Sequence, residues 1–519
     1  MQSSYTRNYL RIYLTQFLAI LVNVLSLVIV IPYLSNDSKV YGIYTLCISF
    51  IIFFSYSDLG FLNAGYKYAS EYYAKGNKKK EIEIIGFVSF ILLVFTLLFG
   101  GSICILSFHP GWLIKDISDQ NDILIAKKLL FTLALFSPNF MLQRILQLIY
   151  GIRVQDYILQ QILLIINVFK IASVYFFYST AEFNITGYFL FCQILTSAGL
   201  LFGFFYASNK YSIPVKYFLS CIKFSKETFY SIKSLALGSL YVTIAWLLFY
   251  EFDPYAIAKL SGAEAVAYYS IGLTCLGFFR SVYGALFGPF NARFNHFVAT
   301  QNFDGLRDFA KTIMCVLLPV VVFPTITISL LSKPFVYTWV GDQFQQSVKI
   351  VTLLSLCNVF AFITYPAGIL SMATKKIRFL YFISSLQIII YWGGIAIFFS
   401  KYGYIVFAYF ELTCFLVTGI LYTWLIYRFL QVSILKFIKL IILPAIIPVL
   451  LLVIILFSIH NFMPLSKGKI NLLIVAITGI TAVFIATFAY YFTSEVFRNY
   501  INPQLLKISK RLKTQPAKF

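Results

Sequence analysis

The residues of this 519-residue chain with chemistry to offer are the few charges set inside long apolar runs. A charge near the centre of a bilayer is expensive, so each one retained there points to a function or to a buried partner. Lys170 falls about midway along the run 158–179, and Arg280 stands roughly ten residues from one end of the run 266–290. At ~1.5 Å per residue both are about 15 Å from water along a helix, too deep for easy snorkelling. Arg144 is about one and a half turns from the end of the run 124–150, where snorkelling and site duty are both open. Arg forks onto phosphate oxygens and Lys supplies a mobile point charge, so Arg280, Lys170 and Arg144 are candidate binding residues for an anionic substrate. Among the acids, Glu411 within the run 403–428 is the deepest. A buried carboxylate gains affinity for a proton and can carry one; it can equally pair with Lys170 or Arg280. Asp58, near one end of the run 41–65, is a second ion-coupling candidate, with capping or pairing as its structural reading. Glu251 and Asp253 sit just before Pro254 at the end of a run and read as a solvated helix terminus.

Metal and cofactor chemistry has little footing. The eight cysteines lie within apolar runs, Cys221 excepted, and show no paired spacing, so neither a disulfide framework nor a metal site is implied. His109, His296 and His460 are far apart in sequence, which argues against a histidine metal centre. No GxxxxGK[ST] phosphate loop is present, and no cofactor is expected. The formal charge of +22 does not indicate nucleic acid, because the 41 Lys and Arg residues lie mostly between the apolar runs rather than in one patch.

The elements that must position these charges are membrane helices. Hydrophobic residues make up 60% of the chain, charged residues 12%, and the mean hydropathy is +0.84. Apolar runs of helix-crossing length recur at about 11–31, 41–65, 84–107, 124–150, 158–179, 186–207, 233–253, 266–290, 312–332, 347–372, 379–400, 403–428, 440–458 and 470–492. They do not show the short alternation of a barrel strand. The fold class is therefore an all-α integral membrane protein of about fourteen transmembrane helices. With both termini cytoplasmic, about 28 Lys and Arg fall on the inner side and about 10 on the outer, as the positive-inside rule requires. No loop is long enough to fold as a separate catalytic domain.

The two halves resemble each other. Val40-Tyr41-Gly42-Ile43-Tyr44 is followed by Phe53-Phe54-Ser55, and Val266-Ala267-Tyr268-Tyr269 by Phe278-Phe279-Arg280-Ser281, a shift of about 225 positions. At the same shift Leu106-Ser107 falls on Leu331-Ser332, each followed by a proline, Pro110 and Pro334. This reads as two parallel six-helix lobes. The expected division is an N-terminal lobe 1–207, a basic linker 208–232 lying along the inner leaflet, a C-terminal lobe 233–430, two further helices in 431–495, and a basic cytoplasmic tail 496–519.

Pro32-Tyr33-Leu34 before Tyr41-Gly42-Ile43-Tyr44, the segment Ser57-Asp58-Leu59-Gly60-Phe61 with the basic loop after it, and the stretch from Leu331 to Gly341 give the chain its resemblance to a known family. In their order and fourteen-span frame they resemble the polysaccharide transporter family, the Wzx-type O-antigen flippases of the multidrug/oligosaccharidyl-lipid/polysaccharide (MOP) exporter superfamily. The resemblance implies two lobes around a central cavity, two extra helices outside, and alternating access. It implies a flippase in a bacterial inner membrane. The substrate would be an undecaprenyl-diphosphate-linked oligosaccharide repeat unit, carried to the outer leaflet for O-antigen, capsule or exopolysaccharide assembly. Membrane lipids, a polysaccharide polymerase, a chain-length regulator and a coupling cation, proton or sodium, are the partners it implies. The alternatives are a multidrug/cation antiporter of the same superfamily, which would place carboxylates rather than Arg and Lys deep in its cavity, and a membrane polysaccharide polymerase. The last needs acids or Arg on a sizeable outer loop, and the first outer loop, 32–40, is short and has no paired carboxylates.

Overall fold

A bilayer offers no partner to backbone N–H and C=O groups, so each apolar run must satisfy its own, and the helix does this locally. The computed structural model describes residues 2–56, 60–179, 182–288, 290–374 and 377–503. Asp58, most of the Ser57–Phe61 motif and the tail from 504 lie outside the described residues. Over its described part each of the fourteen runs is built mainly from helix. Among the described residues eleven helices are long and apolar enough to cross a membrane unaided, and a helix pair bent by 48° makes a twelfth span. The other two runs correspond to the shorter apolar helix Ser38–Phe54 and to Lys226–Tyr250. The protein is an all-α membrane protein, with one two-residue β pair among the described residues, Tyr178–Ser179 against Glu182–Phe183.

Packing divides the chain into two units that meet within a helix, at Ser270/Ile271, rather than at the basic linker. The first unit holds α1 (Gln2–Leu34), α2 (Ser38–Tyr56), α3 (Phe61–Ala74), α4 (Lys78–Phe108), α5 (Gln120–Leu135), α6 (Pro138–Gly151), α7 (Asp156–Ser173), α8 (Ile185–Tyr211), α9 (Val215–Ser220), α10 (Lys226–Tyr250), α11 (Asp253–Ser261) and the first two turns of α12 (Ala263–Phe287). Polar residues start several helices: the side chains of Asn77, Asp119, Asn184 and Ser225 accept from backbone N–H groups of the first turn. The linker does not simply line the bilayer surface. Phe218, Cys221 and Ile232 are buried in the core that α3, α4, α6, α7 and α8 share, and a Cβ on Gly86 would meet the Cys221 carbonyl at 2.5 Å. Apolar side chains spaced among the linker lysines find protein, which buries them as well as lipid would.

The second unit continues with the rest of α12, then α13 (Phe290–Ala299), α14 (Phe303–Leu330), α15 (Ser332–Trp339), α16 (Gln345–Leu356), α17 (Ala361–Ala373), α18 (Ile377–Tyr402), α19 (Ile405–Leu430), α20 (Ile434–Phe437), α21 (Leu443–His460) and α22 (Lys469–Thr493). A π turn, Ile438–Ile442, joins α20 to α21 in one span. α21 and α22 pack on α14: the buried Tyr490 hydroxyl donates to the Cys315 carbonyl of α14 at 3.1 Å. The tenth run is broken mid-span, where the turn Cys357–Phe360 separates α16 from α17.

Candidate functional site

Of the candidate charges in the first unit, Lys170 lies nearer one end of its span than the sequence suggested. It is fourteen residues after Asp156 but six before Phe176, where the span ends, so ~9 Å of helix separates it from that end. The difference arises because the helix begins at Asp156 and closes in a tight turn, so the apolar residues beyond it belong to a loop. Lys170 is half-buried on the α7–α8 seam. The Ser173 hydroxyl donates to its carbonyl at 2.8 Å and the Tyr188 hydroxyl reaches the same oxygen at 3.4 Å, while its amine lies close enough to Cys192 to act on it electrostatically. Arg144, half-buried on α6, donates to Gln147 at 2.8 Å. It lies seven residues from Gly151, near the end of the unit where α7 starts, so Arg144 and Lys170 sit at different depths, roughly 10 Å apart along the helix direction.

In the second unit Arg280 is half-buried on α12, and the Tyr365 hydroxyl of α17 contacts its carbonyl at 3.5 Å. The guanidinium acts electrostatically on the same tyrosine. Tyr365 is held by a stack on Phe287, centroids 5.0 Å apart. Three and two residues before it, Phe362 and Ile363 line an apolar cavity of about 620 Å³ between α14, α17, α19 and α21. Its wall is almost wholly hydrocarbon, with Trp424 and Tyr427 among the lining residues. Glu411 is 1% exposed on α19 and shares its surroundings with Cys414, one turn on, and with Cys357 at the α16–α17 break. α19 approaches that break so closely that a Cβ on Gly419 would meet Phe360 at 2.7 Å. Discontinuous spans expose backbone carbonyls where an ion can be held, which is a reason to keep a buried carboxylate beside one.

One end of the first unit is tightly closed. The starts of α2 and α12, the two repeat-equivalent segments of the sequence, lie against each other: a Cβ on Gly42 would sit 1.8 Å from the Ala263 carbonyl, and Ser38 donates to Glu264 at 3.5 Å. Lys39 pairs with Asp122 at 2.5 Å. Beside them the backbone of Lys115 donates to the Ala258 carbonyl at 3.0 Å, and the Lys259 amine donates to the Trp112 carbonyl at 3.0 Å. Deeper along α2, Phe50 and Phe53 pack edge-on against Tyr255 of α11 at 4.6 and 4.9 Å.

This chain resembles solved transporters along most of its length. A lipid II flippase MurJ in an inward closed conformation superposes with a TM-score of 0.63 at 16% identity, covering 96% of this chain and 100% of that one. A multidrug resistance MATE family transporter of the MOP superfamily, inward-facing, gives 0.57 at 14% identity over 81% and 96% of the two chains. A MOP superfamily transporter from Pyrococcus furiosus gives 0.54 at 12% over 83% and 97%. The fold is the MOP transporter fold. No protein-family model and no curated protein matches the sequence.

Within the MOP fold two features escape the sequence reading. Asp253 is not a solvated terminus: it is 1% exposed and accepts a hydrogen bond from the equally buried Tyr269 hydroxyl at 2.7 Å. Its signal was the tyrosine pair of the second repeat, sixteen residues on. The other is a buried ion pair, Arg153 with Glu81, in which the guanidinium lies between the rings of Tyr73 and Tyr211 at 4.9 and 4.5 Å. The next residue, Val154, takes a left-handed backbone at φ 53°, costly for a β-branched side chain. Nothing in one sequence ties Glu81 to a residue 72 positions away.

Proposed function

We propose that this protein is a Wzx-type flippase that moves an undecaprenyl-diphosphate-linked oligosaccharide from the inner to the outer leaflet of a bacterial inner membrane. The observation that carries the reading is the juxtaposition on α17. That one helix supplies Phe362 and Ile363 to an apolar cavity of about 620 Å³ and, half a turn on, Tyr365 to the backbone carbonyl of Arg280, which brings that cationic residue to α17. A ligand suited to both has a hydrocarbon tail and an anionic head, as a polyprenyl diphosphate does. The similarity in fold to a lipid II flippase supports a cargo of this kind.

In this mechanism the tail lies in the cavity and Arg280 holds the diphosphate or acidic sugars; Lys170 and Arg144 are the substrate-binding residues proposed for the first unit. The termini are cytoplasmic, and the closed end of the first unit at Ser38, Gly42 and Glu264 is the outer gate of alternating access. Glu411 couples the cycle to a proton or sodium ion, a role Asp58 shares. A polymerase and a chain-length regulator receive the product.

The multidrug exporter remains the second reading because Glu411 is a buried carboxylate, the group a cationic drug would seek. Mass spectrometry of polyprenyl-linked sugars, with the leaflet assigned by an impermeant probe, separates the two in cells with and without the gene. Build-up of complete inward-facing repeat units on deletion, repeated by an Arg280→Ala protein at normal membrane level, supports the flippase. An unchanged lipid pool with altered drug tolerance would sink it.

A further inference from the structure

At the end of the second unit where α14 closes and α16, α19 and α22 begin, the described residues carry Lys333, Lys349, Lys401, Lys467 and Lys469 against one carboxylate, Asp342. In the orientation proposed above this is the outer end, where the positive-inside trend selects against lysine. A surplus of cations kept against that trend calls for a reason. Two of the five are built into a platform. The Lys349 amine lies 5.0 Å from the ring of Tyr409, and the Lys401 amine 5.3 Å from the ring of Tyr402. The two tyrosines meet edge-on at 5.8 Å, and Tyr404 donates to Gln346. The start of α16, the end of α18 and the start of α19 are thus tied together by side chains that face one another, whereas interfacial anchors point outward to lipid head groups. Tyr402 is 46% exposed and Lys401 is exposed, so the platform is reachable from water.

We propose that this platform binds an acidic saccharide, a sugar carrying a carboxylate or phosphate. Ring faces suit the apolar C–H patches of a pyranose, the amide of Gln346 and the tyrosine hydroxyls suit its hydroxyls, and two amines answer its charge. The starts of α16 and α19 add backbone N–H groups and positive dipole ends at the same place. The site shares no lining residue with the apolar cavity proposed for the lipid tail, so it engages the head group after it has crossed. This role after crossing rests on the flippase reading; the side of the membrane rests on the charge bias.

The test uses the full chain in nanodiscs of zwitterionic lipid, with trigalacturonate as probe and maltotriose as its neutral counterpart, followed by saturation-transfer NMR. Saturable trigalacturonate binding that weakens about tenfold in Lys349→Gln/Lys401→Gln, and comparably in Tyr402→Ala, is the expected result. Binding unchanged by these substitutions overturns the proposal. So does the absence of saccharide binding with selective retention of phosphatidylglycerol by the wild type, which would make the lysines lipid anchors. The two readings fail separately: trigalacturonate binding lost in Lys349→Gln/Lys401→Gln, together with a polyprenyl-linked sugar pool that gene deletion leaves unchanged, would keep this platform and sink the flippase.

Discussion

Removing the carboxylate of Asp253 takes from the buried Tyr269 hydroxyl the acceptor it holds at 2.7 Å. Loss of a buried hydrogen bond of this kind costs about 1–3 kcal/mol, much of it the burden on the group left behind. Asp253→Ala should therefore lower the thermal unfolding temperature in detergent, and Tyr269→Phe on that background should restore part of the loss; additive losses would show that the pair does not interact. The Arg153–Glu81 pair obeys the same asymmetry more strongly, because a charge stranded at 8% exposure has neither water nor partner. Glu81→Gln should be more destabilising than the double replacement Glu81→Gln/Arg153→Met, by a margin of about 1–4 kcal/mol. For Glu411 the question is function. Glu411→Gln keeps size and hydrogen bonding but cannot ionise, so export should lose its dependence on an imposed proton gradient, and a gradient response identical to wild type would remove Glu411 from coupling.

Helices here meet where small residues let backbones approach, and Gly42 against the Ala263 carbonyl is the tightest such approach at the closed end of the first unit. Any side chain at position 42 must force α2 and the start of α12 apart. Gly42→Leu should accordingly hold this end ajar: export falls at unchanged membrane level, and Cys47, buried one turn deeper on α2, becomes reactive to a water-soluble maleimide. Cys47 as unreactive as in wild type would mean that the contact is static packing rather than a gate. The broken span α16–α17 is a second element with a purpose beyond crossing the bilayer, since the turn Cys357–Phe360 places irregular backbone at membrane depth inside protein, where it is tolerated.

For the molecule as a whole, function depends on which side each end faces. The charge bias predicts both termini inside, so a fluorescent reporter fused at the C-terminus should be bright and a periplasm-dependent phosphatase at the same place inactive. A phosphatase insertion after Gly403, between α18 and α19, should be active. The reverse pattern would invert the molecule, move the lysine and tyrosine platform to the cytoplasm, and leave the α17 cavity argument standing, because that argument rests on contacts within one unit.

Hydropathy alone determined that the chain is helical and crosses the membrane many times, because the solvent of a span is written into its own composition over about twenty residues. The similar segments of the two halves include the two helix starts that meet at Gly42 and Ala263. The charged candidates Lys170, Arg280, Arg144 and Glu411 stood out because intramembrane charge is rare. What they touch did not, and Asp253 was misread, since a carboxylate at the end of a run has the same sequence signature whether it meets water or a tyrosine. The break in the tenth run, the docking of the linker into the first unit and the cavity between α14, α17, α19 and α21 were decided by tertiary structure. Each depends on which surfaces pack together, and partners tens or hundreds of positions apart leave no local trace in a single sequence.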